Sequence, residues 1–493
     1  MAASWYERMA AADRSFLVFE GRHTHMHVGG TTIFDGGSLL GAGGAIDVDR
    51  IREYIGSRLH LIPRYRQRLA EVPVEGYPVW VDDDRLNLRY HVRHASLPRP
   101  GDRRQLRRLV ARIMSQQLDR RRPLWEAWII EGLEDDRFAM VLKTHHCVVD
   151  GISGVDLMSV LMRTEPDDAF EPAPAWTPRP QPTAFDMLRG ELARGLSLPI
   201  ALAQGAAEGL RALPRSAGEL GETASNIWEF LRSGMHRPAD TPINRPIGPY
   251  RRCDWASASL ADVKAVKNQL GGTVNDVILT TVAGAVRRYL THRGTDLGRL
   301  DFRVVVPVSV RTASEQGTLG NRVAGWLLSL PIQEGDPRAR REQVSATTAH
   351  LKASNQARGI EVLAQVAELF DPILTIGVRA AARLHPYNLI VSNVPGPQFP
   401  LYMLGARMLE GYPVVPLFEY QGLGIATFSY DGMLFWAVNA CWDLVPDLHI
   451  FVQALEESFR ELQATAHAMS SETGAPARGA RPRGRGPRAG AAR

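Results

Sequence analysis

The 493 residues are 45% apolar and 23% charged, a soluble globular balance that excludes a wholly disordered chain and exceeds the length of one ordinary domain. The net charge of +5 does not describe the body of the chain, because residues 473–493 alone hold Arg478, Arg481, Arg483, Arg485, Arg488 and Arg493 and no acid. The three cysteines, Cys147, Cys253 and Cys441, form no CxxC pair, which argues against a disulfide framework or structural zinc site and fits a reducing, cytoplasmic compartment.

In chain order, Glu7, Arg8, Asp13 and Arg14 interrupt any apolar run at the start, so no secretion signal is expected there. No segment is expected to span a bilayer; the nearest, residues 196–213, is broken by Pro199, Gly205, Glu208, Gly209 and Arg211. Residues 1–163 read as alternating strands and helices. Strands are predicted at 28–34 and 138–144, and helices at 48–59 and 104–117, the latter with Leu106, Leu109, Val110 and Ile113 on one stripe. Residues 164–249 read as a crossover: a stiff proline-rich run from Pro166 to Pro182, an amphipathic helical stretch over 184–236, and a second proline-rich run.

Strand and helix alternation resumes over 250–469. A helix is predicted at 275–290 and strands at 303–308 and 388–392. A hairpin is expected between 423–430 and 434–440 around Asp431-Gly432, and a closing helix over 445–468. The expected fold is α/β, with two halves of similar size. Residues 470–493 are expected to be a disordered tail, solubilising or attracted to anionic lipid or nucleic acid.

Residues 143–154 read KTHHCVVDGISG. His145 and His146 fall at the exit of a predicted strand. Ser153 and Asp156 give an S-x-x-D cap for the helix that follows. Neighbouring strand residues face opposite ways, so one histidine should face a cleft while the other packs inward. Adjacent histidines suit a zinc ion poorly, and no G-x-S-x-G elbow accompanies them. A neutral imidazole acting as general base on a bound alcohol fits better. Asp150 would brace the loop, and Gly151 would permit its backbone turn. The alternative is a pair of core histidines before an ordinary Asp-Gly turn.

HHCVVDG resembles the HHxxxDG pattern of the CoA-dependent acyltransferase superfamily. Its flanks resemble the bacterial wax ester synthase/diacylglycerol acyltransferase family. The similar segments run in order: DRSFLVFE and MHVGGTTIF near the start, YHVRHASLPRPGD at 90–102, LDRRRPLWEAWIIEGL at 118–133, TVNDVILTTVAGAVRRYL at 273–290, VVPVSVR at 305–311, LGNRVAGWLLSLP at 319–331 and SNVPGP at 392–397. The resemblance implies two similar chloramphenicol-acetyltransferase-like domains with mixed sheets and a substrate tunnel between them. It implies transfer of a long fatty acyl group from acyl-CoA to diacylglycerol or a long-chain alcohol, with no cofactor. His146 would be the base and His145, Asp150 and Gly151 its supports.

Other residues carry weaker expectations. Asn275 and Asp276 open a helix after Thr273, as a cap and brace or in the chemistry. Arg311 is a candidate cation for Asp150, or a solvated strand end. Ser392 and Asn393 are candidates to donate to an oxyanion or the CoA arm, or to cap a turn. Trp125 should pack in the core. The HTHMH run at 23–27 resembles a metal comb but reads as incidental, and Cys147 as a spectator. The rival readings are a carrier-protein donor or another hydroxyl acceptor, or a non-catalytic lipid-binding relative. Peripheral contact with a membrane or lipid-body surface is expected through 184–236 or the tail.

Overall fold

A computed structural model describes residues 5–41, 44–148, 154–194, 239–309, 323–353 and 387–473. Two six-stranded mixed sheets organise these residues, and a small three-stranded sheet stands beside the first.

The first sheet is built around β2 (His27–Asp35) and β7 (Arg137–His145), antiparallel with His27 opposite His145. β6 (Trp125–Glu131) pairs antiparallel with β7, and β5 (Val92–Ser96) runs parallel to β6. β7 carries Phe138, Ala139, Met140 and Val141 in succession, all buried. A run apolar on both faces suits a strand covered on both sides. Gly29 is required where the strands close up, since a Cβ there would lie 1.8 Å from the Leu142 carbonyl oxygen. The small sheet orders β1 (Glu7–Arg8), β4 (Pro78–Asp82) and β3 (Gln67–Glu71).

The second sheet has the order β10 (Val323–Leu330), β9 (Phe302–Ser309), β11 (Leu389–Pro395), β14 (Leu423–Tyr430), β15 (Met433–Cys441) and β8 (Arg251–Ser259). The predicted hairpin is present: β14 and β15 pair antiparallel across Asp431 and Gly432, both at positive φ, 44° and 79°, as a type I′ turn demands. Against this sheet pack α6 (Leu260–Leu270), α7 (Val274–His292), α8 (Pro337–Ala353) and α9 (Leu448–Thr473). The predicted helices at 48–59, 104–117, 275–290 and 445–468 are observed as α2 (Val48–Arg58), α4 (Arg103–Ser115), α7 and α9. The short α3 (Leu88–His91) lies between α2 and α4 in the chain, and α5 (Gly154–Leu161) follows β7.

The halves exchange elements. β12 (Tyr402–Met403) and β13 (Ala406–Val414) come late in the chain yet extend the first sheet, β13 pairing antiparallel with β2. Conversely, α4 lies along β8, the edge of the second sheet. The Arg251 amide donates to Ser115 Oγ at 2.8 Å, and Arg107 pairs with Asp254. Covering an edge in this way removes a row of free strand donors. A sequence split near residues 163 and 250 does not convey this exchange. Trp255 of β8 also stacks on Tyr412 of β13, ring centres 4.4 Å apart and 6° from parallel.

An isolated bridge at Arg163 precedes the crossover, in which residues 164–183 carry no helix or strand and residues 184–194 are helical. The expected helix over 195–236 lies outside the described residues. So does the tail from 474, as do Asp150, Gly151, Ser153 and Arg311.

Candidate active site

His145 is the last residue of β7, and His146 opens a 3₁₀ turn to Val148. α1 (Ala11–Phe19) packs against that turn. The backbone therefore changes course between the two rings and gives them different surroundings. His145 is buried, whereas His146 is only partly so.

His146 is anchored by its amide, which donates to the Met26 carbonyl at 2.7 Å. Its ring lies flat on Phe16, centroids 3.7 Å apart and 14° from parallel. Burial pushes its pKa down to about 4, and the neighbouring His145 pushes the same way. The imidazole is therefore neutral at pH 7, which is the form a general base needs. Its Nδ1 is enclosed and has no hydrogen-bond partner among the described residues.

His145 is held from both sides. Its Nδ1 accepts from the Cys147 amide at 3.2 Å and sits 2.9 Å from Cys147 Sγ. That arrangement puts the ring proton on Nε2, which faces Glu20 Oε2 at 3.5 Å. Burial alone would raise the Glu20 pKa, but His145 and Arg120 outweigh it and hold the carboxyl well below its usual range. Arg120 binds Glu20 through Nε at 2.9 Å and a second nitrogen at 2.5 Å. In the sequence Glu20 is simply the last residue of DRSFLVFE. Its role was hidden because 125 residues separate it from His145.

Lys143 is a second partner the sequence did not disclose. It is fully buried, donates to the carbonyls of Ile113 and Gln116 at 3.1 and 3.0 Å, and pairs with Glu126 Oε2 at 3.3 Å. The ammonium thus closes the C-terminal end of α4, where carbonyls lack helical partners. Together these contacts tie the strand that delivers His145 to α1, α4 and β6.

Of HTHMH, only His27 belongs to a strand. Its ring is 5.4 Å from that of His25 and 6.2 Å from that of His145. Burial first, then Lys143 and His145, drives its pKa well down. Among the described residues no grouping of three His, Cys, Asp or Glu is placed to hold a metal ion. Cys147 is buried, with its thiol pKa pushed well up by burial and by Asp13 and Glu20. Trp125 packs as expected, between Tyr65 and His91, with its indole donating to the Tyr65 carbonyl at 2.9 Å.

In the second half, Asp276 is buried and makes a capping box with Thr273. Its other oxygen accepts from Thr348 Oγ1 of α8 at 2.7 Å. Both of its oxygens are spent on joining two helices. No contact of the Asn275 side chain enters this arrangement. Ser392 and Asn393 do not cap a turn, since β11 continues to Pro395. Asn393 Oδ1 accepts from Thr427 Oγ1 at 3.0 Å on the neighbouring strand, which leaves its NH₂ to donate elsewhere. Val394 packs against the core of the first half, so this end of β11 lies at the junction of the two sheets.

The sequence profile of the wax ester synthase/diacylglycerol acyltransferase catalytic domain matches residues 9–278, and that of the WS/DGAT C-terminal domain matches 319–463. A putative diacylglycerol O-acyltransferase of Mycobacterium tuberculosis is 34% identical, over 92% of this chain and 90% of that protein. A probable diacylglycerol O-acyltransferase of the same organism is 32% identical, over 92% and 96%. Among solved structures, a wax ester synthase/diacylglycerol acyltransferase from Marinobacter aquaeolei VT8 is similar at 26% identity with a TM-score of 0.67, covering 94% of this chain and all of that one. The first condensation domain of the calcium-dependent antibiotic synthetase, 17% identical with a TM-score of 0.60, shares the fold.

Proposed function

The chain belongs to the wax ester synthase/diacylglycerol acyltransferase family, and we propose that His146 is the general base of its acyl transfer. It is an O-acyltransferase that forms triacylglycerol or wax ester from an acyl-CoA donor and a lipid acceptor. The hydroxyl of diacylglycerol, or of a long-chain alcohol, gives its proton to the neutral His146 ring. Its oxygen attacks the thioester carbonyl, the carbon–sulfur bond breaks, and the imidazolium returns the proton to the CoA thiolate. No acyl-enzyme and no resident cofactor take part in this scheme, so it asks for no serine or cysteine nucleophile.

The observation that carries the assignment is the pairing of a neutral ring against Phe16 with a second histidine fixed by Glu20 and Cys147. Desolvation makes the imidazolium more acidic than that of an ordinary histidine, which favours return of the proton to sulfur. His145 and Glu20 position the turn, with Asp150, Gly151 and Arg311, which lie outside the described residues, as the further supports that the family resemblance implies. Asn393, with its amide oxygen engaged by Thr427, is a candidate donor to the developing oxyanion. The substrates would meet His146 in a tunnel between the two halves.

No helix of the described residues is long and apolar enough to cross a membrane, and peripheral contact with a lipid surface would bring the acceptor to the enzyme. Purified protein carrying His146→Ala is expected to release no CoA from palmitoyl-CoA in the presence of diacylglycerol while melting as the parent does. Near-normal turnover in that variant would refute the base assignment. Crossing palmitoyl-CoA with diacylglycerol, hexadecanol and glycerol then reads the acceptor. Strict dependence on a carrier-bound donor would replace the CoA reading.

A further inference from the structure

α4 carries five arginines, Arg103, Arg104, Arg107, Arg108 and Arg112, and no acid between its cap Asp102 and Ser115. Two of them are committed to the junction between the halves, Arg103 to Glu410 and Tyr412, and Arg107 to Asp254. The other three recur at four-residue spacing and so form one stripe. All three are exposed, and no carboxylate is paired with any of them among the described residues. Like charges at this spacing destabilise a helix, so helix stability does not account for the stripe.

The second half brings a fourth cation to it. Arg252, on β8 two residues before the Asp254 that binds Arg107, lies close enough to feel the charges of Asp447 and of Arg108. Its Nε is buried without a hydrogen-bond partner. Its guanidinium covers one face of the Trp442 ring at 3.6 Å. Trp442 remains 47% exposed, and Tyr250, whose carbonyl accepts from the Trp442 amide at 3.0 Å, is 62% exposed. Guanidinium groups beside open aromatic rings are the donor set that binds a phosphorylated purine, through charge-assisted hydrogen bonds and stacking. A purely electrostatic surface would not need the rings.

The site adjoins the catalytic turn. Arg251, the neighbour of Arg252, donates to the His23 carbonyl. From His23 only three residues, about 10 Å of chain at most, lead to Met26, which holds the His146 amide. We propose that Arg108, Arg252 and Trp442, with Arg104 and Arg112 alongside, bind the 3′-phosphoadenosine diphosphate end of the acyl-CoA donor. The pantetheine arm would then run past the start of β8 toward His146. This inference rests on the donor being acyl-CoA.

The test uses adenosine 3′,5′-bisphosphate, which carries the nucleotide and neither arm nor acyl chain. Calorimetric titration of the full-length protein is expected to detect binding, weakened about tenfold or more in Arg108→Glu and in Arg252→Ala. Trp442 fluorescence should change on binding. In turnover, the ratio of KM values for palmitoyl-CoA and palmitoyl-N-acetylcysteamine, which lacks the nucleotide, should rise about tenfold in the same variants. Unchanged bisphosphate affinity in variants that melt normally would overturn the proposal, as would equal loss with both donors. Loss of flotation with phosphatidylglycerol vesicles alongside intact bisphosphate binding would assign the stripe to a lipid surface instead. If the parent transfers acyl groups from neither donor, the acyltransferase reading fails, while the titration still reports on the nucleotide site.

Discussion

Phe16 and His146 lie face to face at 3.7 Å, on two segments separated by 130 residues of chain, and this contact sets the chemistry of the imidazole. The phenyl ring takes water from one side of a group whose charged form needs it. Burial, rather than any nearby cation, leads the downward shift of the pKa to about 4. A histidine of ordinary pKa would be partly protonated at neutral pH, whereas this ring stays neutral there.

The acid limb of kcat/KM follows from that value. His146 stays neutral down to about pH 4, so activity is expected to hold well below pH 6.5 and to fall only as the ring protonates. Phe16→Ala, which admits water, should move this limb upward toward the ordinary histidine value. A parent profile with its acid limb already near 6.5, unmoved by the substitution, would separate the ring contact from catalysis.

Folding stability has a related signature. The His146 pKa is lowered in the folded state, so the unfolded chain takes up a proton first as pH falls below about 6.5. The contribution is complete above that pH and is lost as pH drops toward 4. Glu20, also lowered, acts in the same sense at more acidic pH: its contribution is present above the unfolded carboxylate value near 4.5 and lost below it. Chemical denaturation at stepped pH should show stability declining from pH 6.5 downward. In Glu20→Gln the most acidic part of that decline should be shallower.

Glu20→Gln also tests positioning. The amide keeps the volume but removes the charge that fixes the Nε2 proton of His145 and anchors Arg120. The expected result is a fall in kcat of about a hundredfold, the low end of what a positioned base supplies, with the donor KM little changed. A variant that raised KM and left kcat alone would place Glu20 in substrate binding.

Much of this site was legible in the sequence because it is local. The apolar run ending at Thr144, the paired histidines and the helix that follows locate the turn, and the Asp431-Gly432 pair marks its hairpin by turn chemistry alone. What could not be read is tertiary. Nothing in ARMLEGYPV says that these residues leave their own half and pair with β2. Glu20 and Lys143 look like ordinary charged residues until folding buries them against His145 and Glu126. Pro395-Gly396-Pro397 suggests that the strand stops at Ser392 and that Ser392 and Asn393 cap a turn, yet the strand absorbs Pro395 as its last residue, where a missing amide costs least.

Lys143 makes its own prediction. The ammonium satisfies two carbonyls of α4 and faces Glu126 with no exposure to solvent. Lys143→Ala leaves that carboxylate with Arg93 as its remaining cation, at 3.0 Å, and opens a cavity. The loss should be about 3 kcal/mol, the lower part of the range for breaking a buried pair. Lys143→Met with Glu126→Gln, which removes both charges and keeps the volume, should recover much of it in thermal melts. If the double variant is no better than Lys143→Ala, the helix-end carbonyls rather than the ion pair carry the effect.

Asp276 offers a choice between bracing and chemistry that stability and rate can settle together. Its carboxylate accepts from the Thr273 amide at 2.8 Å and from Thr348 Oγ1 at 2.7 Å, so it fastens the start of α7 to α8. Asp276→Ala removes both bonds and should cost about 2 kcal/mol, the upper end for a lost cap. Thr348→Ala removes one, and the two losses should not add, because the residues share the contact. Activity should fall only as far as the folded fraction does when measured near the melting transition, and recover on cooling. Loss of turnover at full stability would mean that the carboxylate, despite its two helical partners, reaches the reacting groups.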